Sequence, residues 1–82
     1  MVMAVSLLKS SNYRLKIVKA IGDGTLTPSE ISIKTGIRLN HISMVLKELK
    51  ENNLVKCLNE EVRKGRLYEL TELGKDAINK IK

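Results

Sequence analysis

The sequence predicts a small, mainly helical domain with one β-hairpin, and three features indicate this fold class. Two short helices lie between Thr27 and Asn53, separated by a glycine at position 36. Two β-prone runs, LVKCL and RLYEL, stand on either side of the polar segment NEEVRKG. Amphipathic helical patterns precede and follow these elements. We therefore expect one domain over residues 1–82, with its core between about residues 10 and 80.

Composition limits the kind of protein that this chain encodes. Its 82 residues are 43% hydrophobic, which is typical of a globular domain, but Phe and Trp are absent and Tyr occurs twice. The core must therefore consist of Ile, Leu and Val, and the aromatic platforms that stack single-stranded bases are almost excluded. The net charge of +6 favours polyanionic partners. This charge is spread along the chain, so the fold and not a tail must form any basic face.

A single cysteine, Cys57, excludes an internal disulfide and a cysteine-based zinc site. It suits a reducing cytoplasm, where we expect the protein to reside. Cys57 is either a small buried hydrophobic residue or a redox sensor, and we expect the first, because no second cysteine is present to resolve an oxidised form. The opening run MVMAVSLL has no basic segment before it and is too short to span a membrane, so we expect a structured N-terminal segment and no membrane partner.

The first helix is predicted to run from Ser10 or Ser11 to Ile21, where Gly22-Asp23-Gly24 ends it. Val18 lies beside an apolar stripe that consists of Tyr13, Ile17, Ala20 and Ile21. The wetter flanks carry Arg14, Lys16 and Lys19.

Two leucines near the first helix do not belong to its apolar stripe. Leu15 would share the opposite side with Leu8, and it is either an exposed leucine or part of a subunit contact. Leu26 follows Thr25 after the turn, and two residues are too few for an independent strand. We expect this pair to lie against the edge of the later hairpin.

Strong start signals place the second helix at Thr27-Pro28-Ser29-Glu30. The Thr27 side chain can accept a hydrogen bond from the Glu30 amide, while the Glu30 carboxylate reaches back to the Thr27 amide. Gly36 suits the left-handed position that ends a helix. We expect Ile31 to point inward and Ile33 to be partly exposed.

The third helix begins at about Leu39, and its buried face repeats at helical spacing through Ile42, Val45, Leu46 and Leu49. Two helices joined by a glycine-containing turn are typical of the helix-turn-helix motif, whose second helix enters the DNA major groove. The outward face of its N-terminal part comprises Arg38, Leu39, Asn40, Ser43, Met44 and Lys47, with His41 on one flank. A purely solvated face is the alternative. Near the end of this helix, ordinary solvent-exposed residues are expected at Glu48, Lys50 and Glu51.

The polar loop of the hairpin contains Gly65, and the basic residues expected at its tip are Arg63, Lys64 and Arg66. They could reach phosphates or a minor groove. Glu60 and Glu61 in the same loop either face away or pair with basic residues. Thr71 is expected to cap a last helix whose apolar stripe contains Leu73, Ala77, Ile78 and Ile81. This stripe is wider than packing on one small core requires. Together with the side of the first helix that carries Leu8 and Leu15, it predicts a homodimer interface made by Leu8, Leu15, Ile78 and Ile81.

The order helix, short strand, helix, helix, hairpin, helix is that of a winged helix-turn-helix domain. The segments TPSEISIKTGI, SMVLKELKENNLV and LYELTELGKDAI resemble the small winged helix transcriptional regulators of the MarR/ArsR type over about residues 10–80. The resemblance implies base-reading side chains between Arg38 and Lys47. It also implies contacts with the DNA backbone from Thr27, Ser29, Arg63, Lys64 and Arg66. The chain departs from the family pattern at Arg38, where a capping Ser, Thr or Asp is usual, and at the apolar Leu39 and Met44.

The sequence thus favours a homodimeric transcriptional regulator that binds specific double-stranded DNA, with Asn40 as the best candidate for reading adenine. A winged helix that binds proteins through Leu39, Met44 and Ile33 is one alternative, and a non-specific chromatin- or RNA-associated protein is another. No catalytic set, zinc helix or phosphate-binding glycine loop occurs, so we expect neither enzyme activity nor a cofactor. His41 alone cannot form a metal site, and it either contacts DNA or lies on the plain helix surface. The sequence indicates no small-molecule effector.

Overall fold

The computed structural model describes residues 12–81, which form four helices and one two-stranded sheet. The helices are α1 (Asn12–Ile21), α2 (Pro28–Thr35), α3 (Leu39–Glu51) and α4 (Glu72–Ile81). The strands are β1 (Val55–Cys57) and β2 (Tyr68–Leu70). The predicted start of α1 at Ser10 or Ser11 and the predicted interface residue Leu8 lie outside the described residues.

The sheet is an antiparallel hairpin in which Val55 pairs with Leu70 and Cys57 with Tyr68. Leu26 adds an isolated bridge to Tyr68 through two reciprocal backbone hydrogen bonds of 2.9 and 3.0 Å. This confirms the prediction that the segment before α2 lies against the hairpin edge. The strands are shorter than the two β-prone runs. The Leu67 amide donates a hydrogen bond to the Asn59 side chain at 2.7 Å instead of to the opposite strand, and this ends the ladder of backbone hydrogen bonds.

The core lies between α1, α2, α3, α4 and one face of the hairpin. Ile, Leu and Val supply all of its buried hydrophobic side chains except Ala77, as the composition predicts. These side chains are Ile17, Val18, Ile21, Ile31, Ile37, Ile42, Leu46, Leu49, Leu54, Val55, Leu70 and Ala77. No polar side chain in residues 12–81 is buried, so burial of apolar area is the main stabilising contribution.

Three predictions about packing are wrong in part. Tyr13 is 45% exposed, since it lies in the first turn of α1 beyond the core, and its ring contacts that of His41. Leu15 is half-buried against the core, because the fully buried Val18 widens the inward face of α1. Cys57 is half-buried and not fully enclosed, because it stands at the loop end of β1.

The start of α4 is fixed against the chain that leads into β1. Thr71 caps the helix as predicted, its hydroxyl oxygen accepting from the Gly74 amide at 3.1 Å. The same hydroxyl donates to the Asn53 carbonyl, and the Thr71 amide donates to the Leu54 carbonyl at 3.0 Å. Any Cβ at Gly74 would overlap that Leu54 oxygen. The Thr-x-x-Gly pattern therefore combines a helix cap with a close approach that only glycine allows.

Candidate nucleic-acid interface

The turn between α2 and α3 is held by local hydrogen bonds. Thr27 and Glu30 form the predicted capping box, with bonds of 3.2 and 2.8 Å between each side chain and the other residue's amide. Gly36 ends α2 with a φ of 74°, a left-handed conformation in which glycine carries no steric cost. Beyond it, the Ile37 carbonyl accepts from the Ser32 hydroxyl at 2.6 Å. These bonds set the direction in which α3 leaves the turn.

Helix α3 buries one face and exposes the predicted DNA-contact face. Ile42, Leu46 and Leu49 are buried, while Val45 is half-buried. All seven of the predicted contact residues on or beside this helix are exposed: Arg38, Leu39, Asn40, His41, Ser43, Met44 and Lys47. Arg38 occupies the capping position without a side-chain hydrogen bond to the helix, as its departure from the family pattern implies.

An open groove of about 710 Å³ separates α3 from the hairpin loop. Four elements line it: the start of α2, one side of α3, the hairpin loop and β2. The lining residues are Thr27, Pro28, Ser29, Leu39, Ser43, Leu46, Lys47, Lys50, Arg63, Lys64, Gly65, Arg66 and Tyr68. Five of them are cationic, four carry hydroxyl groups and none is acidic. This lining of cations and hydroxyl groups suits an anionic ligand.

The structure brings eight of the predicted contact residues into this groove and leaves four outside it. Arg38 and His41 lie on the opposite flank of α3, where they line a separate shallow depression. Helix geometry explains the separation, because His41 and Ser43 are two residues apart and therefore point about 200° apart. Asn40 and Met44 do not line either of these depressions, and Met44 is 68% exposed.

Lys50 belongs to the groove, although its position late in α3 predicted an ordinary solvent residue. It is seven residues after Ser43, two helical turns further along the same side, and this spacing could have identified it. Its ammonium group forms an ion pair with Glu60 at the base of the hairpin loop. This hydrogen bond raises the pKa of Lys50 and lowers the pKa of Glu60. Glu60 therefore pairs with a helix residue and not with the loop cations.

Arg66 closes the hairpin loop and does not project from its tip. Its Nε donates to the Val62 carbonyl at 2.7 Å, and Nη2 donates to the Glu60 carbonyl at 3.2 Å. The prediction that it lies at the tip is therefore wrong, because the two carbonyls turn the guanidinium inward. Arg63 and Lys64 are exposed and face the groove as predicted.

The prediction that Glu48 is an ordinary solvent residue is also wrong. Both of its carboxylate oxygens accept from the Arg14 guanidinium at 2.6 Å, which ties α3 to α1. These hydrogen bonds lower the pKa of Glu48 and raise the pKa of Arg14. Arg14 is therefore an inter-helix contact and not a free cation on a wet flank.

Two negative findings apply to residues 12–81. No group of three His, Cys, Asp or Glu side chains comes close enough there to hold a metal ion. None of the helices in that range has the length and apolar character needed to cross a membrane.

No family model matches the chain, and no curated protein matches it at a significant level. The structure is similar to the solution NMR structure of a homodimeric winged helix-turn-helix DNA-binding domain from Mycobacterium bovis, part of a possible ArsR-family transcriptional regulator. The TM-score is 0.76 at 24% sequence identity, and the match covers 98% of this chain and 73% of that one.

This similarity confirms the predicted fold. The described residues have the winged helix-turn-helix fold, in which α2 and α3 form the helix-turn-helix and the loop between β1 and β2 is the wing.

Proposed function

We propose that the protein binds double-stranded DNA as a sequence-specific transcriptional regulator of the cytoplasm. The observation that carries this proposal is the groove between α3 and the wing, which is open, cationic and free of acidic lining residues. The similar M. bovis domain is a DNA-binding domain, which supports the proposal. We also propose that the MarR/ArsR-like resemblance of the sequence reflects this function.

The shape of the groove fits one strand of a DNA duplex. When α3 enters the major groove, the wing reaches the neighbouring minor groove or its flanking backbone. The phosphate strand that divides the two grooves must then lie between α3 and the wing. Lys47, Arg63 and Lys64 are exposed along that path, and the hydroxyls of Thr27 and Ser29 stand at its other edge.

The exposed N-terminal part of α3 would contact the DNA bases. The Asn40 side-chain amide has a donor and an acceptor that match the edge of adenine in the major groove. The Arg38 guanidinium matches the edge of guanine. Leu39 and Met44, 48% and 68% exposed, fit thymine methyl groups. Ser43 and His41 complete the set of polar side chains on the two flanks. A mild preference for A·T-rich sites follows.

Binding to duplex DNA should weaken steeply with salt. If each subunit neutralises about four phosphates, log K for a dimer falls with log salt at a slope of about −7, because the bound cations release condensed counterions. Fluorescence anisotropy with a labelled duplex between 0.05 and 0.3 M salt, about the range in which such slopes are measured, gives this number. A slope near zero would refute the proposal.

Specificity separates the proposed regulator from a non-specific chromatin- or RNA-associated protein. Selection of bound duplexes from a random pool, followed by competition against a random duplex, measures it directly. We expect the selected site to bind at least about 10³ times more tightly than random DNA. A ratio below about ten favours the non-specific alternative.

We also propose that the protein acts as a homodimer, which would place two α3 helices in successive major grooves about 34–36 Å apart. Leu15, Ile78 and Ile81 are half-buried at the edge of the core and keep apolar surface for a partner. Sedimentation equilibrium at tens of micromolar should give twice the mass of the chain, and Ile81→Glu should halve it. Ile33→Glu is the matched control, because Ile33 is 84% exposed on α2. A monomeric wild-type protein contradicts this proposal.

The exposed apolar side chains of α2 and α3 support a second candidate, a winged helix that binds another protein. Ile33, Leu39 and Met44 are 84%, 48% and 68% exposed, more than a solvated helix face needs. Removal of the positive charges of the groove distinguishes the DNA-binding candidate from the protein-binding one. Loss of groove cations should abolish DNA binding and leave binding through an apolar face intact.

A further inference from the structure

A second basic surface lies on the flank of α3 that faces away from the wing. Two shallow depressions form it, one between α1 and α2 and one at the turn into α3, and they share Lys16 and Thr35. None of their lining residues is acidic. We define the α1 basic surface by the three cations of α1 and α2 that line these depressions, Lys16, Lys19 and Lys34.

The positive charge of this surface is not neutralised within the described chain. Residues 12–81 contain four ion pairs, and none of them involves a cation of the α1 basic surface. The Lys34 ammonium group donates to the Ala20 carbonyl at 3.3 Å, a neutral acceptor that leaves its charge in place. Glu48 is the carboxylate of α3 that points to this side, and both of its oxygens bind Arg14.

The position of the surface relative to α3 indicates its partner. A B-DNA major groove is about 12 Å wide, so a helix within it has a phosphate strand on each side. The groove beside the wing accounts for one of these strands. Arg38 and His41, in or beside the first turn of α3, point to the other side, and Lys16 lines the same depression as they do. The second strand would therefore run past the α1 basic surface.

We propose that the α1 basic surface binds phosphates of the second strand bordering the major groove that α3 occupies. This inference rests on the proposed function and extends it, because it adds α1 to the DNA interface. One subunit then contacts the backbone on both sides of α3, through the wing on one side and through Lys16 and Lys19 on the other. The partner is the backbone of the same duplex, and base sequence does not enter.

Replacement of Lys16 and Lys19 by glutamine tests this inference. Both side chains are exposed, so the fold should be kept, and circular dichroism melting checks this. With a mixed-sequence duplex, the salt slope should become shallower by about 2 per bound subunit. Affinity at 0.15 M salt should fall by about 25-fold per subunit, since each lost phosphate contact weakens binding by about fivefold there.

The matched control is Lys56→Gln with Lys75→Gln, which removes the same net charge from β1 and α4. Its slope should stay within about 0.5 of the wild-type value, because neither lysine lines a basic surface. Equal losses in the two double variants would show an effect of net charge alone and would overturn the inference. A wild-type slope for K16Q/K19Q overturns it as well and leaves the proposed function standing. If the wild-type protein shows no salt-dependent binding, both fail.

Nuclear magnetic resonance locates the contact independently. On addition of the same duplex to ¹⁵N-labelled protein, amide signals of residues 16–19 and 34–38 should shift together with those of α3 and the wing. Signals that shift only after α3 is saturated would mean that a second duplex binds there, and this result overturns the inference.

Discussion

Replacement of Lys47 and Arg63 together by glutamate is expected to abolish binding to duplex DNA. The two side chains stand on opposite walls of the groove, one on α3 and one on the wing. Both are exposed, and neither takes part in an ion pair within residues 12–81. Each reversal removes a phosphate contact and adds a repulsive charge, so affinity at 0.15 M salt should fall by about 10²- to 10³-fold per subunit.

A charge-matched variant controls for long-range electrostatics in this experiment. Lys56→Glu with Lys75→Glu makes the same change in net charge outside the groove. The new carboxylate at position 56 repels Glu69 across the hairpin, which costs less than about 1 kcal/mol of stability. Anisotropy titration should show only a small loss for this control. If K47E/R63E binds duplex DNA as the control does, the groove is not the DNA interface. If K47E/R63E no longer binds DNA but still binds a protein partner, the apolar face has a role of its own.

Replacement of Gly74 by alanine is expected to unfold the protein or to lower its melting temperature by roughly 15 °C. The added methyl group would overlap the Leu54 carbonyl oxygen, which is part of the fully buried core and accepts from the Thr71 amide. Overpacking against backbone costs about 1–3 kcal/mol and loss of that hydrogen bond about 1 kcal/mol more. A domain of this size has a margin of only about 3–5 kcal/mol.

Gly24→Ala provides the control for this prediction. The nearest atom to a Cβ at Gly24 is the Ile21 carbonyl oxygen at 3.9 Å, and Gly24 does not have a positive φ. Alanine should therefore be neutral or stabilise by about 0.4–1 kcal/mol through the unfolded chain. Thermal unfolding followed by circular dichroism compares the two variants. A Gly74→Ala protein that melts within a few degrees of the wild type would show that α4 moves freely away from β1.

Local signals account for the parts of the fold that could be predicted. The capping box at Thr27, the left-handed Gly36 and the Thr71 cap depend on atoms within four residues of one another, so the sequence specifies them directly. The helical period of α3 likewise specifies which of its side chains are buried. The bridge at Leu26 was predictable because a two-residue extended segment needs a partner for its backbone.

Contacts between distant segments account for the expectations that failed. Glu48 and Lys50 have the same pattern as any exposed late-helix residues, and only packing brings them to Arg14, 34 residues away, and to Glu60, 10 residues away. Arg66 turns inward because the wing folds two carbonyls around it. Such partners are set by the relative placement of whole elements, which residue spacing does not encode.

By itself, therefore, the sequence determined the order of elements, both ends of α2, the start of α4 and the residues that α3 turns outward, because each depends on backbone geometry over one or two helical turns. Only the tertiary structure decided how those outward residues divide between two flanks. It places α1 on one side of α3 and the wing on the other, so that each flank meets a different set of cations. Charges on separate elements combine into one surface only when packing brings those elements together.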